Sequence, residues 1–169
     1  MKNNSEAKIL SWNEALDAVK NWQAEGFSVV FTNGCFDLLH VGHVKYLEDA
    51  AAIGDKLVIG VNSDRSTKAL KGEHRPINEA YARMYLLASL SCVDCVVEFD
   101  EPTPYELISL LRPDILVKGG DYAIADIVGA DLVQENGGKV TTIPFIEGYS
   151  TTTIESRIIA LHRKHERSK

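Results

Sequence analysis

Residues 29–49 read VVFTNGCFDLLHVGHVKYLED, a stretch that joins a short apolar run to a turn and then to a helical pattern. The first three residues are β-branched or aromatic, which is typical of a strand buried on both faces. Asn33-Gly34 ends this strand with turn chemistry. Apolar residues then recur at helical spacing from residue 41 onward. The stretch therefore predicts a buried strand, a tight turn and a helix start.

Two histidines, His40 and His43, lie three residues apart at the start of this predicted helix, so their side chains point the same way. A helix start presents free N–H groups and the positive end of the helix dipole, which together attract anions. Gly42 between the histidines allows close approach of backbone or ligand. The pattern favours a phosphate site. A structural pair is one alternative, and a zinc site that includes Cys35 and Asp37 is another.

The rest of the chain alternates between strand and helix patterns. Further apolar runs predict strands at residues 57–61, 93–99, 115–117 and 140–144. Alternating strands and helices imply right-handed crossovers and a parallel sheet. The predicted fold class is α/β, a Rossmann-like five-stranded parallel sheet with helices on both faces.

Three local predictions accompany this fold. An N-terminal helix begins at the cap Ser11, with Glu14 completing a capping box. Residues 65–76 are expected to form a polar loop. Asn78 is expected to cap the next helix, in which Ala82, Tyr85, Leu86 and Leu90 form an apolar stripe.

Polar segments follow the predicted strands at residues 33–43, 62–75, 118–122 and 147–153. In a parallel sheet, ligands bind at the carboxyl ends of the strands, near the point where the strand order reverses. The four segments are therefore predicted to meet at one crevice. The sequence lacks both the G-x-G-x-x-G and the Walker A motif, which lowers support for dinucleotide redox chemistry and P-loop hydrolysis.

Two short runs in these segments suit a nucleotide. The run STTT at residues 150–153 exceeds what a helix cap needs, and its hydroxyls suit a phosphate, although a plain cap is the alternative. The run GGD at 119–121 is either a flexible turn or a place where backbone meets a base and the carboxylate meets ribose. Lys71 and Arg75 are either ordinary surface charges or cations for a phosphorylated substrate.

Length and composition indicate one soluble globular domain over residues 1–169. It is divided into an N-terminal helical segment 1–26, a core 27–161 and a basic tail 162–169. The formal net charge is −6, which argues against nucleic acid as the partner. The sequence has neither a membrane-spanning run nor a signal peptide, so we expect a cytoplasmic protein with no membrane partner.

The three cysteines fit a reducing compartment without disulfides. Cys92 and Cys95 have the spacing of a metal knuckle but no second pair, and we interpret them as buried thiols at a strand entrance. Cys35 lies beside the histidine helix, where a thiol can be activated, or it is simply a small residue tolerated in the turn. A mechanism without a covalent intermediate is favoured.

The runs TNGCFD at residues 32–37 and HVGH at 40–43 resemble the first signature of the nucleotidyltransferase superfamily that carries the HxGH motif. The run EGYSTTTI at 147–154 resembles its second signature. Within this superfamily, the runs LKGEHRPIN, LVKGGDY and GYSTTTIESRI most resemble bacterial D-glycero-β-D-manno-heptose 1-phosphate adenylyltransferases. The resemblance covers about residues 8–161.

The resemblance implies magnesium-assisted transfer of AMP from ATP to heptose 1-phosphate. The products are pyrophosphate and ADP-heptose, which enters the inner core of lipopolysaccharide. His40 and His43 would stabilise the triphosphate in the transition state, with no metal ligand named. The implied nucleotide-binding residues are Thr32, Asn33, Gly34, Cys35, Phe36, Asp37, Gly42, Lys118, Gly120, Asp121, Ser150, Thr151 and Thr152. The candidates for contact with the substrate phosphate are Lys71, Arg75 and Arg83.

The chain departs from its relatives in two ways. Many relatives carry a fused sugar kinase, so a separate heptose kinase is expected here; a homodimer is also expected. Related cytidylyltransferases have an arginine shortly before Glu147-Gly148, where this chain has Phe145-Ile146. This weakens the alternative of a cytidylyltransferase acting on glycerol 3-phosphate or a similar alcohol. A nucleotide-binding sensor or scaffold without transfer activity is a third hypothesis.

Overall fold

The structure is a computed structural model that describes residues 4–166, with side chains up to residue 163. These residues contain one five-stranded parallel sheet. Its strands are β1 (Val29–Gly34), β2 (Lys56–Asn62), β3 (Cys95–Phe99), β4 (Ile115–Gly119) and β5 (Lys139–Ile143). They lie in the order β3-β2-β1-β4-β5, which confirms the predicted Rossmann-like fold.

Helices pack on both faces of the sheet, as predicted. They are α1 (Trp12–Ala24), α2 (Val41–Ala51), α3 (Asp64–Lys71), α4 (Ala80–Ala88), α5 (Tyr105–Leu111), α6 (Ala130–Glu135) and α7 (Thr151–Glu166). Alternate residues of β1 point to opposite faces. Val29 and Phe31 join the apolar cluster under α1, α5 and α6, whereas Val30 joins the cluster under α2 and α4.

The N-terminal helix begins as predicted. Ser11 and Glu14 form both halves of a capping box at the start of α1. Trp12 also donates a hydrogen bond from Nε1 to the carbonyl of Glu98, at 2.8 Å. The cap and this bond fix α1 against the edge of the sheet.

The expectation of a polar loop over residues 65–76 is wrong in its first half, because α3 occupies Asp64–Lys71. Ser63 caps this helix by accepting a hydrogen bond from the backbone N–H of Ser66 at 3.0 Å. Thr67 is fully buried, and its hydroxyl donates to the carbonyl of Asn62. The helix is therefore held by buried hydroxyls, which a search for an apolar stripe does not detect.

The apolar stripe predicted for the next helix, α4, is exposed at two of its four residues. Tyr85 and Leu86 are exposed, and Met84 and Leu87 are buried instead. Glu79 occupies the N-cap position in place of Asn78. Both faces of this helix carry apolar residues, so periodicity alone did not identify the buried one.

Three further predictions concern membrane spans, the basic tail and the cysteines. None of the helices within residues 4–166 is long and apolar enough to cross a membrane. Part of the predicted basic tail belongs to α7, which continues to Glu166; its last three residues lie outside the described part of the chain. Of the two cysteines predicted to be buried, Cys95 is buried and Cys92 is half-buried; neither forms a disulfide within the described residues, and burial raises the pKa of the Cys95 thiol to about 12.

Candidate active site

The site lies where β1 and β4 separate. Their paired residues end at Phe31 and Leu116, yet each strand continues for three more residues. The strand order reverses at this point, which is the usual ligand position in such sheets. Tyr46 of α2 bridges the gap, with its hydroxyl 2.6 Å from Thr32 Oγ1 and 3.4 Å from the carbonyl oxygen of Val117. Burial raises the pKa of Tyr46 to about 12, so the bridging hydroxyl stays protonated.

A cleft of about 390 Å³ opens at this edge of the sheet. It is lined by Asn33, Gly34, Cys35, Phe36, Asp37, His43, Tyr46, Lys71, Arg75, Lys118, Gly119, Tyr122, Phe145, Thr151 and Thr152. All four polar segments singled out in the sequence contribute to this lining. The volume is in the range of small-molecule sites.

The two histidines form a stacked pair at the start of α2. His43 lines the cleft, and His40 at the N-cap stacks on it with ring centroids 3.8 Å apart. A Cβ atom added to Gly42 would lie 3.0 Å from the His40 ring, so the glycine leaves room for the stack. The Nδ1 atoms of both rings are buried without a well-formed hydrogen bond in the described part of the chain.

Both histidines are poor bases in the absence of ligand. Burial lowers the pKa of His40. Burial also lowers the pKa of His43, to about 4, with a further contribution from His40. The pair is therefore neutral near pH 7. A nearby polyanion would raise both pKa values, so the pair is suited to gain positive charge as phosphate binds.

The turn after β1 is shaped by an unusual backbone conformation. Phe36 has a φ of 48°, in the left-handed region that bulky residues seldom adopt. Its ring folds back over Gly34, where an added Cβ would lie 3.0 Å away, and meets the edge of His43 at 5.4 Å between centroids. Strain of this kind concentrates at functional sites.

Asp37 organises the loop before α4. Its carboxylate accepts hydrogen bonds from the backbone N–H groups of Ile77 and Asn78 and from the Arg75 guanidinium, at 2.8–2.9 Å. Burial opposes ionisation, but these bonds hold the pKa of Asp37 below its ordinary value. Arg75 also pairs with Glu155 of α7. Asp37 is thus committed to protein contacts, and the zinc alternative loses its nearby carboxylate.

Positive charge gathers in the cleft although the whole chain is acidic. Lys118 extends from β4 to within 3.5 Å of Asn33 Oδ1 on β1. Burial lowers the pKa of Lys118, and the nearby Lys71 adds to this effect. Lys71 lies in the same lining, so two lysines attract an anion there, whereas the Arg75 guanidinium is paired with Asp37 and Glu155.

The start of α7 combines the two alternatives considered for its hydroxyl run. Ser150 is a cap, because its hydroxyl accepts a hydrogen bond from the backbone N–H of Thr153 at 3.1 Å. Thr151 and Thr152 instead line the cleft. Their hydroxyls and the helix start are available to a phosphate.

Arg83 has a role different from the predicted contact with a substrate phosphate. Its side chain is fully buried and donates to the carbonyls of Asn78 and Cys35 and to the carboxylate of Asp64. Arg83 thus braces the turn after β1 from behind. It positions that turn and lies outside the cleft lining.

Other predicted residues also lie outside the lining, namely Thr32, His40, Gly42, Gly120, Asp121 and Ser150. The lining in turn includes four residues absent from the predicted set, namely Tyr46, Gly119, Tyr122 and Phe145. Tyr46 follows His43 by three residues on a helix, a spacing that was visible in the sequence. The position of Phe145 depends on the path of the chain after β5 and has no such signal.

The described residues contain no cluster of three His, Cys, Asp or Glu side chains able to hold a metal ion. Cys35 lies in the cleft, with its thiol 3.8 Å from Asn62 Oδ1. A metal that accompanies a polyphosphate substrate would be held by phosphate oxygens and water.

The family described as cytidylyltransferase-like matches residues 31–159. The bifunctional protein HldE of Syntrophotalea carbinolica is 54% identical over 154 residues, covering 91% of this chain. The chain spans about a third of that relative's length, at 31%. The HldE protein of Nitratiruptor sp. is 57% identical over 139 residues, covering 82% of this chain and 29% of its own.

A solved structure is also similar. The lipopolysaccharide core biosynthesis protein from Thermoplasma volcanium has a TM-score of 0.58 and 30% identity, covering 74% of this chain and all of its own. The two chains therefore share both the fold and a recognisable sequence.

Proposed function

This chain belongs to the cytidylyltransferase-like family, and within it we propose an adenylyltransferase that moves AMP from ATP to D-glycero-β-D-manno-heptose 1-phosphate. One observation carries the chemistry: His43, Lys71, Arg75 and Lys118 converge on a single cleft in a chain of net charge −6. Such a cleft suits a triphosphate and a sugar phosphate together. The choice of sugar rests on the sequence resemblance and on relatives more than 50% identical.

In the proposed reaction a phosphate oxygen of the acceptor forms a bond to the α-phosphorus of ATP. The bond from that phosphorus to the bridging oxygen breaks, and pyrophosphate leaves with the electron pair. Such a transfer depends on positioning and on charge stabilisation. His43, backed by His40, would donate a hydrogen bond to the triphosphate and acquire positive charge. Lys71, Lys118 and the hydroxyls of Thr151 and Thr152 would hold the remaining phosphate oxygens.

Magnesium is part of this proposal and would enter with ATP. It would be held by phosphate oxygens and water, since Asp37 is occupied by Arg75 and by backbone N–H groups. The ion would reduce the charge repulsion between the two phosphorylated substrates.

A homodimer is a further part of the proposal. Val93, Val96 and Val97, which follow α4, are buried in the core and offer no surface for it. The exposed Tyr81, Tyr85 and Leu86 of α4 are the better candidates. Sedimentation of the protein with and without Leu86→Glu tests this; a dimer unaffected by the substitution contradicts the α4 surface.

A heptose kinase is the functional partner that the proposed reaction requires. A sugar 1-phosphate forms by phosphoryl transfer to the anomeric oxygen, so kinase action must precede AMP transfer. Mixing the protein with magnesium, ATP and the unphosphorylated heptose should release no pyrophosphate, and adding a purified kinase that phosphorylates the anomeric oxygen should start its release.

The test of function is pyrophosphate release with magnesium, heptose 1-phosphate and ATP, CTP or GTP in turn. The proposal expects release with ATP and its loss in His43→Ala. Release only with CTP and glycerol 3-phosphate would instead establish the cytidylyltransferase alternative. Tight nucleotide binding without release for any acceptor would favour a sensor.

A further inference from the structure

Two exposed aromatic rings meet at one glycine in the cleft. A Cβ atom added to Gly120 would lie 3.0 Å from Cε2 of Phe145 and 3.3 Å from Cε2 of Tyr122. Such contacts are tighter than most real Cβ atoms make, so both rings rest against the backbone of Gly120. Phe145 also covers Gly119, where an added Cβ would lie 2.6 Å from its ring.

These rings are not part of the apolar core. Phe145 is 63% exposed and Tyr122 is 51% exposed. Both lie outside helices and strands: Tyr122 follows β4, and Phe145 lies between β5 and α7. The inner neighbour of Phe145 is Tyr46, with ring centroids 6.4 Å apart. Together the two rings form an exposed apolar patch inside the cleft, which is more informative than a single exposed apolar residue.

The cleft therefore has two chemically different parts. Its polar part contains His43, Lys71, Arg75 and Lys118, whereas its aromatic part contains Tyr122 and Phe145 above Gly119-Gly120. The proposed substrates have one flat, weakly hydrated group between them, the nucleobase of ATP. Aromatic side chains bind bases by stacking, and a purine offers the larger stacking surface.

We propose that Phe145 and Tyr122 form an aromatic clamp that holds the base of the nucleoside triphosphate over the Gly119-Gly120 backbone and favours a purine over a pyrimidine. The clamp rests on the proposed function, because it assigns a specificity element to the same cleft. The Phe145 ring lies on the glycines in the ligand-free protein. The base displaces it and enters between ring and backbone.

Equilibrium binding separates the clamp from the phosphate site. Dissociation constants are measured by calorimetry for ATP, CTP and inorganic tripolyphosphate, using the wild type, Phe145→Ala, Tyr122→Ala and Phe145→Trp. We expect each alanine variant to raise the dissociation constant for ATP about tenfold. The affinity for CTP should fall less, and the affinity for tripolyphosphate should not change. Phe145→Trp should retain the affinity for ATP. Tyr105→Ala, which removes a part-exposed ring outside the cleft lining, is the matched control and should behave as wild type.

The outcomes are distinct. An equal loss of affinity for ATP and for tripolyphosphate overturns the clamp, and so does an unchanged affinity for ATP in Phe145→Ala. In either case nucleotide binding by the wild type leaves the proposed function standing. A wild type that binds no nucleoside triphosphate overturns both. Melting temperatures equal to wild type, measured beside each titration, separate lost stacking from lost folding.

Discussion

The imidazole of His40 lies stacked on that of His43, with the two ring planes inclined by 22°. Burial lowers the pKa of both rings, and for His43 the neighbouring His40 adds to that effect. Neither ring readily takes a proton until an anion arrives. The stack is therefore a neutral pair in the free protein and a source of positive charge in the complex.

Replacement of His43 tests its role in charge stabilisation. We expect His43→Ala to lower kcat by about 10²–10³ with a smaller change in KM for ATP, because the lost contact acts mainly on the transition state. Steady-state pyrophosphate release measures both constants. His74→Ala, at an exposed histidine, is the control. An equal loss in both variants would remove His43 from the chemistry.

The stability of the free protein should depend on pH through His43. Its folded pKa of about 4 lies below the value of about 6.5 expected in the unfolded chain, so the unfolded state binds the proton first as the pH falls. This contribution to stability is complete above about pH 6.5 and is lost as the pH falls towards 4.

Urea unfolding between pH 4.5 and 7.5 measures this effect. We expect His43→Asn to lose less stability than wild type as the pH falls, with slopes that differ by at most about 1.4 kcal/mol per pH unit. Groups remote from the histidine pair titrate alike in both proteins and cancel in the comparison. Parallel curves for the two proteins would contradict a depressed pKa at His43.

Arg83 should contribute to the stability of the fold although it lies outside the cleft lining. Arg83→Met leaves the part-buried carbonyls of Asn78 and Cys35 without their donor, so we expect a loss of about 2–4 kcal/mol in the free energy of unfolding. Urea denaturation measures the loss. Arg65→Met breaks an exposed ion pair with Asp100 and should change stability little. Similar losses in the two variants would refute the bracing role.

Lys71 and Lys68 offer a matched pair on α3. Lys71 lines the cleft, whereas Lys68 pairs with the exposed Glu73. We expect Lys71→Ala to raise KM for a phosphorylated substrate about tenfold, because a charge-assisted contact is lost. Lys68→Ala should leave KM unchanged. Initial rates at varied ATP and varied sugar phosphate identify which substrate Lys71 contacts; no change for either removes it from the site.

Much of the fold followed from local pattern. The apolar runs that became β1 to β5 are short and flanked by turn residues, so burial on both faces was their simplest interpretation. The histidine pair was equally visible, because its spacing on a helix start is local. Ser11 and Glu14 identified the start of α1 for the same reason.

The errors arose where the partners of a residue are distant in sequence. The hydroxyl of Thr67 finds its place against Asn62, and the guanidinium of Arg83 finds carbonyls in two other segments. A polar helix and a buried arginine both look exposed in the sequence. Their burial depends on which groups the fold places around them.

The sequence by itself determined the parallel α/β fold, the histidine pair and the family, because strand periodicity, helix starts and signature motifs are properties of neighbouring residues. Only the tertiary structure decided that β1 and β4 part after Phe31 and Leu116, that Arg83 supports the turn from behind and that Phe145 covers Gly119-Gly120. These features depend on how distant segments pack, and packing of that kind depends on the whole set of buried surfaces and hydrogen bonds at once.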